Sequence, residues 1–358
     1  MRTPRRPGNP LLAVSLLTVT ALLLSGCAPA SPAPPVSESA TPPATVNLTP
    51  AAPAAPAQLL DGDCSALATD DAVSALLGTV VSAQTGFVDE PSANAVTTIG
   101  GIQCRWAEPA GVTGVTGASL TTVMVGSDAV ETTPDAVECS EASFDASGAL
   151  ASTCSFSVSS GSVWLSGVAA MAAGADEEDA RAAVAAVGDI IRALPAPRPV
   201  GPSATARVWT ATGCADLSAR AGLPDLLDSP GLRVDDADSS GGQRAAGNGA
   251  ALAATGFFGC SWYHDGDTPS GEVSGFTSEA LPGGAWAQTQ VLVVPGATVV
   301  DLAGVDLAVR VPMDEEVTGV AEVLNVFDGA NWLQVSGAGE LSALEPAVVA
   351  LVAALNAG

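Results

Sequence analysis

Lysine is absent from this chain of 358 residues, and histidine and tyrosine occur once each. Without lysine there is no phosphate-binding loop of the Gly-Lys-Ser/Thr type and no Ser-x-x-Lys nucleophile. The single histidine, His264, lies in the polar, turn-like stretch Trp262-Tyr-His-Asp-Gly-Asp267. No Gly-x-Ser-x-Gly elbow accompanies it, and a general base needs a positioned partner, so it reads as a solvated side chain. No Cys-x-x-Cys occurs. That removes the close-spaced ligand pairs of structural zinc sites and the thioredoxin-type redox motif. Aromatic residues make up 4% of the chain, so the cores must be built from Ala, Val and Leu, with the six tryptophans as their largest pieces.

All twelve basic residues are arginine, and three of them, Arg2, Arg5 and Arg6, open the chain. After them comes an uncharged apolar run over residues 11–24, then Leu24-Ser25-Gly26-Cys27. A basic start, a short apolar stretch and small residues make a secretory signal. The run is too short to cross a bilayer comfortably, which takes about 20 residues. Its end resembles the lipobox of bacterial lipoproteins. The resemblance implies that Leu24, Ser25 and Gly26 are read by the processing enzymes. It also implies that Cys27 receives diacylglycerol and becomes the first residue of the mature chain. Residues 1–26 are then the signal peptide. No Asp or Glu precedes Cys27, so nine arginines remain against 38 acidic residues and the mature charge is −29. Such a charge disfavours nucleic acids and anionic lipid surfaces and tolerates cationic ligands.

Residues 27–58 carry the lipidated cysteine and a Pro/Ala/Thr-rich linker. The linker cannot bury enough surface to offset chain entropy. Stiffened by proline at roughly 3 Å per residue, it reaches up to about 90 Å. Asn47-Leu48-Thr49 fits a glycosylation sequon, which carries little weight in a bacterial lipoprotein.

Beyond the linker the same landmarks recur twice, in residues 59–195 and 207–358, divided by a Pro-rich linker over 196–206. Cys64 matches Cys214, and Cys104-Arg-Trp106 matches Cys260-Ser-Trp262. The alternating stretches 121–125 and 289–293 match as strands, with Val123 to Trp164 and Val291 to Trp332 both spanning 41 positions. Helices are expected after Cys64, capped by Thr69 and stopped by Gly78, and after Cys214, capped by Asp216. Others are expected over 176–194 and from the capping-box pattern Ser342-Ala-Leu-Glu345 onward. Strands are expected at the Cys-x-Trp segments and over 118–125, 155–165, 290–294, 305–311 and 320–327. The fold class is therefore α+β: two tandem related domains, each an antiparallel sheet with N- and C-terminal helices packed on it.

Six cysteines remain besides Cys27, an even count that argues for disulfides in an exported protein. The duplication pairs Cys64 with Cys104 and Cys214 with Cys260. Cys139 and Cys154 then pair with each other, since the 41-position spacing puts Leu307 and Glu322 at their places. Asp236-Ala-Asp238-Ser-Ser240-Gly241 begins like a calcium loop, but Gly247 stands where the bidentate Glu is needed. Asp265, Asp267 and Glu272 form a looser acidic cluster, and these runs read as solvent loops. Trp286, after Pro282-Gly-Gly284, reads as a core residue.

The layout is similar to actinobacterial envelope lipoproteins. Together with the absent catalytic motifs it leads to a membrane-anchored extracytoplasmic module that binds a protein or small-molecule ligand, with no cofactor, no metal and no nucleic acid. The alternatives are an envelope hydrolase using carboxylates and a structural accessory subunit of a membrane complex. A retaining or inverting pair of carboxylates about 5–9 Å apart would mark the hydrolase.

Overall fold

In a computed structural model the described residues are 53–84, 88–109, 117–144, 150–171, 177–193, 209–210, 213–236, 245–264, 275–314, 320–337 and 341–358. The lipobox, Cys27 and most of the first linker lie outside them, as do 237–244 and 265–274, which hold most of the acidic runs.

The first copy opens with a short 3-10 turn, Leu59–Gly62, and a second at Cys64–Ala66, capped by the Asp63 side chain. Helix α1 (Asp70–Leu77) follows. Thr69 Oγ1 accepts from the Ala72 N–H at 3.3 Å, and Gly78 in the left-handed region at φ 72° ends it. Next come β1 (Ser82–Ala83), α2 (Ala95–Thr98), β2 (Ile102–Ala107), β3 (Ser119–Gly126), β4 (Ala136–Phe144), β5 (Leu150–Ser160), β6 (Val163–Ala170) and α3 (Glu177–Ala193). The second copy runs α4 (Cys214–Ala221), α5 (Leu223–Leu226), β7 (Leu232–Asp236), α6 (Ala246–Thr255), β8 (Phe258–His264), β9 (Gly275–Leu281), α7 (Gln288–Val291), β10 (Thr298–Val300), β11 (Leu307–Pro312), β12 (Glu322–Asp328), β13 (Asn331–Gly337) and α8 (Glu345–Ala357). The expected α+β class stands: the strands form two antiparallel sheets, one of six strands and one of seven.

The strand orders show that the two halves are one design. The first sheet runs β1-β2-β3-β6-β5-β4, and the second, read from its other edge, runs β7-β8-β9-β13-β12-β11-β10. Each strand of the first has a counterpart in the second, with β10 added at the edge. Registers agree as well. Cys104 faces Thr122 across β2 and β3, as Cys260 faces Ser278 across β8 and β9. Trp164 lies between Val125 and Ser159, as Trp332 lies between Leu281 and Phe327. Even the buried polar atoms without a hydrogen-bond partner among the described residues recur: the Trp106 and Trp262 indole N–H, and the Thr122 and Ser278 hydroxyls.

This register corrects the sequence alignment. Residues 289–293 are not a strand. They lie in α7 and the turn after it, where Ala287 and Val291 are both buried one helical turn apart. The true partner of β3 is β9. Val125 to Ala136 spans 11 positions, whereas their counterparts Leu281 to Val309 span 28, so the second copy carries an insertion there. Cys139 corresponds to Pro312 rather than Leu307, while Cys154 does correspond to Glu322. The equal 41-position spacing comes from matching Val123 to Val291 inside the insertion; the counterpart of Val123 is Glu279, which lies 53 positions before Trp332. The expected strand 155–165 is two strands, β5 and β6, joined by a two-residue turn at Gly161 with φ 59°. Gly329, at φ 60°, does the same between β12 and β13. The capping box at Ser342 does not form. Ser342 sits inside a 3-10 turn, Leu341–Leu344, and Glu345 pairs instead with Arg310. Asp216 is likewise not a cap: α4 begins at Cys214, and Asp216 pairs with Arg220 one turn on, at 2.9 Å.

Each sheet buries one face against its own helices. Ile102, Cys104, Trp106, Leu120 and Met124 meet Val73, Leu77, Val184 and Ile191 in the first copy. Cys260, Trp262, Phe276 and Leu324 meet Leu217, Val348, Leu351 and Val352 in the second. The opposite faces contribute to a third core that belongs to both copies, with Val123, Val125 and Trp164 from one and Leu281, Val309, Phe327 and Trp332 from the other. The seam is reciprocal. Helix α6 of the second copy lies on the first sheet, where the Gly247 N–H donates to Ser166 Oγ at 2.6 Å. In return, residues 89–98 of the first copy lie on the second sheet. There the Ser92 N–H donates to Glu279 Oε2 at 3.1 Å, and Gln334, the counterpart of Ser166, donates to the Asp89 carbonyl. A Cβ on Gly247 would stand 2.7 Å from Val123 Cγ1, which is why glycine holds the closest approach of α6 to the sheet.

Three disulfides staple the copies: Cys64–Cys104, Cys139–Cys154 and Cys214–Cys260. Where the first copy ties β4 to β5 through Cys139–Cys154, the second uses Arg310 on β11, which pairs with Glu322 on β12 at 3.7 Å and with Glu345 at the start of α8. Another exchange is volumetric. Phe156 faces Gly167 across β5 and β6, and its counterpart pair is Leu324 and Val335. A Cβ on Gly167 would meet Phe156 Cζ at 2.2 Å, so ring and glycine fit only together. Gly167→Val is therefore expected to cost about 1–3 kcal/mol or more by overpacking. The double variant Gly167→Val/Phe156→Leu, which copies the other half, should recover part of it in urea unfolding, since the Thr121 carbonyl, 2.8 Å from the same Cβ, stays in place. Additive losses would show that the two sites do not share that space.

Candidate functional site

A groove of about 630 Å³ lies at the seam between the copies. Its floor is the outer side of β2. Burial alternates along that strand, so Cys104 and Trp106 point into their own core while Gln103 and Arg105 point out on the opposite side. One wall is the opening of the first copy, with Gln58 and Gly62, together with Asn94 and Thr97 around α2. The other is Trp286 and Gln290, both from the segment inserted in the second copy. The first copy has no such segment between β3 and β4, so this groove is built at one end of the seam.

Its walls are held by their own hydrogen bonds. Gln58 Nε2 donates to Thr97 Oγ1 at 3.0 Å and to the Gly101 carbonyl at 3.3 Å. Gln58, expected in the disordered linker, is thus part of the folded body. Asn94 Nδ2 donates to the carbonyls of Val88 and Glu90 at 2.7 and 2.8 Å. Trp286 is buried, as its sequence context led us to expect, and its indole N–H donates to Thr98 Oγ1 at 3.1 Å across the seam. The same residue lines the groove.

Charge distinguishes this place. Among the described residues no Asp or Glu lines the groove, although 38 acidic residues occur in the chain. Arg105 is the one charged side chain among its described lining residues. Arg192, Arg220 and Arg310 pair with carboxylates, Arg181 donates to the Val137 carbonyl, and Arg233 is also engaged. Arg105 alone among the described arginines has neither an ion pair nor a side-chain hydrogen bond. The side-chain amides of Gln103 and Gln290 also have no partner among the described residues.

A second concavity, of about 480 Å³, is lined by Asp63, Asp70 and Asp71. Two of these carboxylates are structural. Asp63 Oδ1 accepts from the hydroxyl and the N–H of Ser65 at 2.7 and 2.8 Å, and Asp70 Oδ1 accepts from the Ala83 N–H at 2.9 Å. The Ser65 hydroxyl first, and then its N–H, hold the Asp63 carboxyl below the usual carboxylate range. With its folded pKa depressed, the cap contributes above the ordinary carboxylate pKa and is lost as the pH falls through the lower folded value.

No family model, curated protein or solved structure matches this chain. The groove must therefore be read from its own chemistry. Of the residues singled out in the sequence, the structure brings six cysteines together as three bonds and places Trp286 at the groove. Leu24, Ser25, Gly26 and Cys27 lie outside the described residues, as do Asp265, Asp267, Glu272 and the His264 side chain. The groove residues themselves went unnoticed. The available signal was Arg105 as the middle residue of Cys-x-Trp, since alternation on a strand sends that position to the face opposite the cysteine and tryptophan.

Proposed function

We propose that this protein is a membrane-anchored extracytoplasmic binding module, lipidated at Cys27, that holds its ligand in the groove at the seam. Arg105 supports the reading most strongly: a cationic side chain with no partner among the described residues, in a groove whose described lining holds no acid, on a protein otherwise strongly acidic. A guanidinium left open to solvent in such a setting is a ready hydrogen-bonding fork for an incoming group. The rigid floor of β2 and the two copies' converging walls pre-organise that fork at little entropic cost. A carboxylate hydrolase is disfavoured, since glycoside hydrolysis needs two facing acids and this lining contributes none.

A photo-crosslinking residue at Gln103, introduced into the full chain in intact cells, tests the reading. Capture of a reproducible species, absent when the crosslinker is placed on the exposed Val299, is the expected result. Equal labelling at both positions would sink the groove as a binding site.

Anchoring is tested separately. Two acyl chains give stable membrane attachment where one is marginal. The full chain is therefore expected to incorporate labelled palmitate and to partition into the detergent phase, and Cys27→Ser to lose both. Label retained in Cys27→Ser would contradict the lipobox reading.

A further inference from the structure

Resting on the groove reading, we infer that the ligand is an acidic sugar: a single carboxylate set among ring hydroxyls. Arg105 supplies one positive charge, and the described lining residues offer no second cation. One guanidinium matches one carboxylate in a bidentate pair. A phosphate monoester carries close to two charges, and the acidic field of the whole molecule opposes a dianion more than a monoanion.

The remaining lining selects for hydroxyls. Gln84, Gln103 and Gln290 each present a neutral amide, which both donates and accepts as a hydroxyl does. Gln103 stands one residue from Cys104 and two from Arg105 on the same side of β2, so carboxylate and hydroxyl recognition share one rigid strand. Val88 and Ala93 supply apolar surface beside these amides, and the buried Trp286 lines the facing wall. A peptide is a poorer match. Strand addition uses an exposed sheet edge, and β2 lies between β1 and β3 in the first sheet rather than at its edge. The volume of about 630 Å³ lies in the range of small-ligand sites and accommodates a mono- or disaccharide.

The test uses the full chain in detergent, with glucuronic acid, glucose and an acidic pentapeptide as probes, followed by saturation-transfer NMR and calorimetry. Glucuronic acid is expected to bind, glucose to bind more weakly, and the peptide not to bind. Arg105→Gln should weaken glucuronic acid by about tenfold or more, the loss of a charge-assisted pair. It should leave the melting temperature unchanged, since Arg105 is exposed and unpartnered. Gln103→Ala should weaken glucuronic acid and glucose alike. Equal binding of glucuronic acid by Arg105→Gln overturns the inference, as does no glucuronic acid binding at all. If the crosslinker at Gln103 still captures a species in that case, the sugar class fails while the groove stands. If it captures nothing, both fail.

Discussion

Truncating Trp332 to alanine is expected to lower stability by about 3–5 kcal/mol, read as a fall in the urea midpoint without a change in slope. Trp332 is fully buried in the core shared by both copies, stacked on Phe327 with ring centroids 5.7 Å apart. Its loss leaves a large cavity on the face of the sheet where the other copy packs. It also removes a donor: the Trp332 indole N–H bonds Asn325 Oδ1 at 2.9 Å. That oxygen also accepts from Gln334, which in turn holds the Asp89 carbonyl of the first copy. The substitution therefore loosens both a core and the seam. Trp164→Ala, its counterpart, should cost somewhat less. Its partner Ser157 bonds the Pro134 carbonyl at 2.8 Å within the same copy, whereas Asn325 is linked through Gln334 to the Asp89 carbonyl of the other copy. A loss below about 1.5 kcal/mol for Trp332→Ala would mean that the site collapses freely, contrary to a tightly packed shared core.

Replacing Cys214 and Cys260 together by alanine is expected to cost about 4 kcal/mol in the chain-entropy account. The bond joins residues 46 positions apart, and Cys64–Cys104 joins residues 40 apart, so the two should cost nearly the same. Cys139–Cys154, 15 apart, should cost about 3 kcal/mol. Each long-range bond fastens the opening of a copy to the strand beside its sheet edge, and the buried tryptophan two residues on, Trp106 or Trp262, is positioned by the same strand. Burial separates their chemistry. Cys214 and Cys260 are both buried, whereas Cys64 and Cys139 are part-exposed, so a thiol reductant acting on the native protein should open Cys64–Cys104 and Cys139–Cys154 before Cys214–Cys260. Mass mapping of alkylated peptides at successive times checks both the pairing and the order. Simultaneous opening of all three bonds would show that reduction proceeds only through global unfolding.

The frame was legible because cysteines and tryptophans are rare enough here to serve as markers. They located the repeat, the three pairings and the Cys-x-Trp strands. Thr69 and Gly78 bounded α1 correctly because cap chemistry is local. Register was not legible. An alternating Thr-Gln-Val-Leu-Val stretch has strand periodicity, yet Trp286, Ala287 and Val291 bury it as a helix once the inserted segment folds against the seam. Tertiary context also overruled the Ser342 cap, because Arg310 from a distant strand claims Glu345. The groove could not be found by motif at all. It is made by residues from both copies, and nothing in the chain order signals that Gln58, Arg105 and Trp286 meet. Tandem copies were expected from the linker, and the linker is silent on whether they share a core.

That shared core is the central claim, and calorimetry of the full chain tests it most directly. If Val123, Val125 and Trp164 of one copy and Leu281, Val309 and Trp332 of the other form one interior, the protein melts in a single transition whose calorimetric and van't Hoff enthalpies agree. Trp164→Ala must then shift that whole transition. Two resolved transitions, of which Trp164→Ala moves only one, would contradict it.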